Sequence, residues 1–350
     1  MKKLIVSLLA LAVISANVFA GGGQQKSSGG SAAQSNALSA VSEKGGEYTA
    51  DSFNYKPVEN TTGKNIRIAV LCVQNNPFWV DVTAGAYAAK AVLALPQYNA
   101  TVDYISVNEF NGQVFSDAIE ASIVKGYDGI TTVGVSDAIV PSIDKAVAAG
   151  IPVYVFNSDT ARPSKRTAFI GQDLYAAGVL AGETLAKLIG GQGKVGIITG
   201  LYSVNAHELR RKGGEEGLGK SPGVRIVGTI ENHDSADEAY TATKDLLTAN
   251  PDLKGIYVTA GGPHGAARAI QELGKTNEVA LVCFDFTTEI ISYLRTGDID
   301  STIGQDPFGQ GADPIILAYN QAVTGRAAVT GNAFTKMDIV THDNVGQYFP

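Results

Sequence analysis

The sequence predicts an α/β protein of two doubly wound parallel-sheet lobes, and three observations predict it. From residue 65 onward, short β-branched runs alternate with Ala-rich amphipathic stretches, the pattern of repeated βαβ units and parallel sheets. Gly, Asn-Pro or Asp punctuates the helix ends, as in Ala149-Gly150-Ile151-Pro152 and Asn250-Pro251-Asp252, where such residues stop a helix. The cycle then restarts near Gly193-Lys194-Val195, and a second round of strand, helix, strand, helix over a similar span makes two similar lobes the simplest account.

Strand-like runs fall at residues 66–73, 100–107, 129–133 and 152–156 in the first round, then at 194–199, 224–229, 255–258 and 279–284 in the second. Helix-like stretches between them fall at 78–93, 113–125, 139–149, 176–189, 206–219, 235–248, 265–273 and 288–296. Sites in such a fold belong where the carboxyl ends of the two sets of strands meet.

The first strand-to-helix turn carries Gln74-Asn75-Asn76-Pro77-Phe78-Trp79-Val80. It delivers an amide and two aromatic rings to the carboxyl end of a strand, where open α/β sheets bind ligands. Flat aromatic faces beside an amide suit a small polyhydroxylated molecule. A buried aromatic pair below a helix start is the structural alternative.

The ends and the composition narrow the class. Lys2 and Lys3 precede an apolar stretch over residues 4–14 and a small-residue site at Val18-Phe19-Ala20, which reads as a secretory signal peptide over residues 1–20. Residues 21–64 are expected to be a tether, rich in Gly, Ser, Gln and Ala over 21–46. No Cys stands after Ala20 to take a lipid, so the expected protein is exported, periplasmic and not lipid-anchored. The remainder is long enough for two lobes of about 100 to 150 residues each. Lys+Arg 27 against Asp+Glu 34 gives a net charge of −7 without a basic run, which argues against nucleic acid. Cys72 and Cys283 both sit in apolar runs and are expected to be small buried side chains without a bridge.

The order of motifs carries a resemblance. Asn75-Asn76-Pro77-Phe78-Trp79 follows the first strand, Gly150-Ile151-Pro152-Val153 precedes the fourth, and Gly171-Gln172-Asp173 opens a crossover. Arg210 lies in the stretch 208–213, followed by Leu246-Leu247-Thr248-Ala249-Asn250-Pro251-Asp252, Cys283-Phe284-Asp285 and Thr302-Ile303-Gly304-Gln305. In this order the chain resembles the ribose- and allose-type periplasmic sugar-binding proteins, the type I substrate receptors of ABC importers, across residues 65–350. That resemblance implies two lobes joined by a three-crossover hinge that close on a sugar, a monomer handing a sugar or polyol to an ABC permease, and no cofactor or metal. It places the crossovers near Gln172 to Asp173, Gln305 to Asp306 and Ala333 to Thr335. Lobe I is then 65–172 plus 306–333, and lobe II is 173–305 plus 334–350.

Carried over by position, the resemblance makes Asn76, Phe78 and Trp79 the amide and stacking aromatics of lobe I, Arg210 a donor to sugar hydroxyls, Asp285 an acceptor and Gln305 a hinge amide. Replacing Trp79 or Arg210 by Ala is expected to abolish binding and leave the fold intact. Three positions depart from the ribose pattern. Phe156-Asn157-Ser158-Asp159 replaces an Asp-Arg pair, Asp234 falls where lobe II carries an aromatic, and Thr259-Ala260-Gly261-Gly262-Pro263 replaces an Asn-Asp. Asn157, Asp234 and Thr259 are therefore candidate ligand contacts that move the specificity away from ribose, toward another pentose, a hexose, a polyol or an inositol.

An enzyme finds little support: Asp234, His233 and Asp285 come without a nucleophile motif, metal-ligand spacing or phosphate loop. Gly190-Gly191-Gln192-Gly193-Lys194 lacks the spacing and hydroxyl of a phosphate loop and precedes a strand. A repressor of the lactose-repressor type would need a DNA-binding helix-turn-helix where the signal peptide stands. A receptor that reports a sugar to a sensor kinase or chemoreceptor would have the same cleft and remains the alternative to an importer.

Overall fold

The computed structural model describes residues 48–73, 77–107 and 110–350. The signal peptide, the tether up to residue 47 and Asn76 lie outside the described residues.

The first sheet takes β1 (Ile66–Val73), β2 (Ala100–Val107), β3 (Gly129–Val133), β4 (Val153–Phe156) and β5 (Ala168–Gly171). The second takes β6 (Gln192–Thr199), β7 (Gly223–Glu231), β8 (Leu253–Val258), β9 (Ala280–Phe284) and β10 (Ser301–Ile303). Each sheet gains a sixth strand from late in the chain, β11 (Gly331–Phe334) beside β5 and β12 (Ile339–Thr341) beside β10. The orders are β11-β5-β4-β3-β1-β2 and β12-β10-β9-β8-β6-β7, so each core runs 2-1-3-4-5 in its own numbering, a doubly wound order. Every pairing is parallel apart from β10 with β12. Strands covered by helices on both faces must be apolar on both, and β3, β4 and β5 are buried at every position. Cys72 in β1 and Cys283 in β9 are buried, unbridged and in different sheets.

The helices follow the strands: α1 (Phe78–Leu93), α2 (Gly112–Val124), α3 (Val140–Ala148), α4 (Leu174–Leu188), α5 (Asn205–Gly219), α6 (Ala236–Ala249), α7 (Pro263–Glu272), α8 (Thr288–Thr296), α9 (Pro307–Thr324) and α10 (Val345–Tyr348). Their boundaries carry the expected chemistry. Asn111, Asp173, Ser235 and Thr287 each cap a helix by accepting from backbone N–H groups of its first turn. Helix α9 was not foreseen; it is buried along residues 309–320 and packs on α1 beneath the first sheet.

The tether was expected to reach residue 64, but the chain is packed from residue 48. The aromatic residues Tyr48, Phe53 and Tyr55 supply apolar area that a Gly/Ser segment lacks: the Tyr48 ring stacks on Phe308 at 5.7 Å, and Phe53 is buried. Asn320 brackets the segment by accepting from the Val58 N–H at 2.9 Å and donating to the Lys56 carbonyl at 2.9 Å. The Asn54 amide donates to both Asp313 (2.8 Å) and Asp306 (3.0 Å).

Asp313 makes this contact sensitive to pH. Burial, with Asp306 nearby, pushes its carboxyl from 3.8 up to about 6. A folded-state value above the unfolded one means stability fully present below pH 3.8 and lost as pH rises through about 6. At 1.36 kcal/mol per unit the loss is on the order of 3 kcal/mol. Asp313→Asn is expected to raise the thermal midpoint at pH 7.5 and leave it nearly unchanged at pH 4; an equal shift at both values would contradict this.

Candidate functional site

The carboxyl ends of both sheets open into one cleft of about 270 Å³, just under the roughly 300–1,000 Å³ of pockets for drug-sized ligands. The first sheet's side contributes Phe78, Trp79, Phe110 and Asn157; the second contributes His207, Arg210, Asp234, His264 and Asp285, with Gln305 at the hinge. One wall is aromatic and carries a single amide, and the other is polar and charged. Such a pair of walls holds a molecule with one apolar face and several hydroxyls.

The backbone is strained where it matters. Asn157 (φ 65°), Asp234 (φ 58°) and Asp285 (φ 78°) adopt left-handed conformations just past β4, β7 and β9, and Asp306 (φ 54°) does so past β10. Such conformations are disfavoured by roughly 1–2 kcal/mol per residue, with Asn and Asp the most tolerant side-chain-bearing types. They persist where surrounding bonds over-determine them. The Asp285 N–H donates to the Ile303 carbonyl (3.0 Å) while its own carbonyl accepts from Thr302 Oγ1 (2.7 Å). The Asn157 N–H donates to the Ile170 carbonyl (3.1 Å).

Arg210 reaches the cleft from α5, which crosses α4 so closely that a Cβ on Gly178 would stand 2.3 Å from the Arg210 carbonyl oxygen. Its guanidinium lies 3.9 Å over the Phe284 ring. Nε and Nη2 donate to Gln172 Oε1 (3.1 and 2.7 Å), and Nη1 donates to the Thr259 carbonyl (3.3 Å). Five N–H donors in a planar fork leave further donors for a ligand. Burial lowers the Arg210 pKa and raises that of Asp285, and the attraction between the two charges opposes both shifts.

A chain of amides joins the two walls through the hinge. Asn157 Nδ2 donates to Gln310 Oε1 (3.1 Å), Gln310 Nε2 to the Gln305 carbonyl (2.6 Å), and Gln305 Nε2 to Asp285 Oδ1 (2.6 Å). Gln172 ties a second crossover to the same stretch by donating to the carbonyl of Gly304, the residue before Gln305 (3.1 Å). At the cleft's rim, Asn205 Nδ2 at the start of α5 donates to the Asp159 carbonyl beyond β4 (3.1 Å). This bond spans the cleft from the second sheet's side to the first's. Asn205→Ala is therefore expected to weaken ligand affinity about three- to tenfold, since a hydrogen bond contributes roughly 0.5–1.5 kcal/mol; titration giving an unchanged affinity would remove it from closure.

Of the expected contacts, Phe78, Trp79, Asn157, Arg210, Asp234, Asp285 and Gln305 line this cleft, while Asn76 lies outside the described residues. Thr259 is corrected. Its side chain is wholly buried and shares a hydrogen bond with Thr199 Oγ1 (2.9 Å) beneath the cleft floor; only its carbonyl reaches Arg210. His233, one of the acid/base candidates weighed above, is exposed and pairs with Glu238 and Glu231. His207, His264 and Phe110 were missed. His207 had a signal, standing three residues before Arg210 and so on the same helix face. Burial lowers the pKa of both cleft histidines, which favours the neutral imidazole.

Comparison with known proteins agrees with the two-lobed fold. A xylose/arabinose-binding protein of Sulfolobus acidocaldarius is 26% identical over 79% of this chain and 71% of its own length. The D-allose-binding periplasmic protein of Escherichia coli is 26% identical over 73% of this chain and 84% of its own. Among solved structures, an ABC transporter solute-binding protein from Burkholderia graminis in complex with D-arabinose superposes with a TM-score of 0.75, at 26% identity, covering 83% of this chain and 100% of that one. The family model described as a periplasmic binding protein domain matches residues 68–327, and the chain belongs to the periplasmic binding protein family.

Proposed function

We propose that the protein captures a monosaccharide or related polyol between its two lobes outside the cytoplasm and delivers it to an ABC importer. The observation that carries this reading is the pairing of an aromatic wall, Phe78 and Trp79, with a wall that offers Arg210 and Asp285 in one small cleft. A ring face against the C–H face of a sugar removes apolar area from water at roughly 25 cal/mol per Å², while the opposite wall supplies donors and acceptors for the hydroxyls. Lobe I comprises 48–172 with 306–334, and lobe II 173–305 with 335–350. The ligand favours the closed form because only that form lets both walls touch it. Residues 1–20 act as the export leader, and a permease in the membrane is the partner of the closed monomer.

Import is favoured over sensing by the ABC-transporter description of the arabinose-bound relative. The test is a thermal-shift screen with D-ribose, D-arabinose, D-xylose, D-allose, xylitol and myo-inositol. A ligand present at about 100 times its dissociation constant adds roughly 2.7 kcal/mol of stability, so one sugar or polyol is expected to raise the midpoint by several degrees. A flat response across the panel contradicts the proposal.

A further inference from the structure

His207 and Asp234 form a built site within the cleft that the sequence comparison with ribose-type proteins does not supply. Asp234 stands where an aromatic was expected, in a turn held by several bonds. The Asn232 N–H donates to the Thr199 carbonyl (2.8 Å), the His233 N–H to the Gly200 carbonyl (3.0 Å), and Asn232 Nδ2 to the Gly261 carbonyl (2.9 Å). Asp234 Oδ1 accepts from the Gly261 N–H (2.9 Å), which leaves Oδ2 as the oxygen turned to His207.

The histidine tautomer is fixed from the other side. Nδ1 accepts from the Leu201 backbone N–H at 2.8 Å, so in the neutral ring the proton resides on Nε2. Nε2 lies 3.8 Å from Asp234 Oδ2, too far for a direct hydrogen bond. Both side chains are about nine-tenths buried and both line the cleft. Glycine makes room for them: a Cβ on Gly200 would stand 2.5 Å from His207 Nδ1 and 2.7 Å from Asp234 Oδ1.

We infer that His207 and Asp234 grip one hydroxyl of the ligand, its oxygen accepting from His207 Nε2–H and its proton going to Asp234 Oδ2. An oxygen about 2.8 Å from each partner spans the 3.8 Å gap. The hydroxyl satisfies both partners at once, and a ligand lacking it, or carrying it in the opposite configuration, leaves a buried donor and a buried carboxylate unpaired. The pair is thus a specificity-determining subsite of the sugar cleft, and the inference rests on the proposed function.

His207→Asn tests it, because asparagine can still accept from the Leu201 N–H but has no donor at the Nε2 position. Affinities are measured by titration calorimetry for whichever of D-ribose, D-arabinose, D-xylose, D-allose, xylitol or myo-inositol the unchanged protein binds, and for each of its monodeoxy analogues. Affinity for the parent is expected to fall about 10- to 100-fold in the variant, while a single deoxy analogue binds both proteins equally. Equal losses for parent and every analogue, or no loss at all, overturn the subsite and leave the sugar reading standing. Binding of none of the panel by the unchanged protein overturns both. A readout free of any folding defect is ¹⁵N–¹H correlation of the imidazoles in the unchanged protein, where the chain's 4 histidines make assignment tractable. His207 is expected as the Nε2–H tautomer with a shift that moves at saturation; an Nδ1–H tautomer or an unmoved signal overturns the proposal.

Discussion

Arg210→Ala is expected to weaken sugar binding about 100-fold or more with the two sheets intact. The guanidinium faces the cleft from a fixed position, held by Gln172 and the Thr259 carbonyl and laid over Phe284, so it meets the ligand without losing further freedom. Hydrogen bonds that involve a charged group contribute roughly 1.5–3 kcal/mol each, and two to one sugar exceed the 2.7 kcal/mol of a 100-fold change. Arg210→Lys keeps the charge and loses the fork, and is expected to stay at least about tenfold weaker than the unchanged protein. Calorimetric titration of both variants beside circular dichroism of the fold checks this. Near-normal affinity in Arg210→Ala would place the ligand elsewhere.

Trp79→Ala is expected to abolish binding and also to destabilise the protein, which corrects the expectation of an intact fold. Trp79 is 2% exposed. It meets Phe78 edge-on at 5.1 Å and Phe110 at 6.1 Å within the first lobe's core. Truncating a buried aromatic to Ala costs about 3–5 kcal/mol, so one ring serves as both wall and core. The denaturant midpoint is expected to drop markedly in Trp79→Ala and much less in Trp79→Phe, with sugar affinity reduced in both. An unchanged midpoint in Trp79→Ala would show the ring to be a free surface of the cleft and no part of the core.

Most of the fold was legible because parallel strands buried on both faces read as uninterrupted apolar runs. Residues 66–73 and 129–133 became β1 and β3 with no change of boundary, as did the partly exposed edge strand β2 at 100–107. Helix α9 was illegible for a physical reason. Pro307, Gly309, Gly311 and Pro314 crowd its first half and argue against a helix when read locally. Tertiary packing reverses that reading: Asp306 caps the helix, Pro307 begins it, and a Cβ on Gly311 would stand 1.9 Å from the Val82 carbonyl oxygen of α1. The strands β5, β10, β11 and β12 are 3 or 4 residues long, too short for a period to show. In the site, Asp285 came from the resemblance, and Asn157 and Asp234 from departures from it; all three occupy left-handed bends just past strands, which Asn and Asp tolerate best. Thr259 also stands just past a strand but faces Thr199, and the orientation of one hydroxyl at a strand end is set by the sheet beneath it.

The central claim is that a sugar binds in this cleft, and the most direct measurement is the emission of the chain's 1 tryptophan, which lines it. Titrating the sugar that gives the largest thermal shift is expected to change Trp79 emission saturably, with a dissociation constant matching calorimetry, and to leave it unchanged in Arg210→Ala at the same concentrations. A sugar that stabilises the protein yet leaves Trp79 emission constant, with affinity indifferent to Arg210, would contradict the account by placing its site outside the cleft.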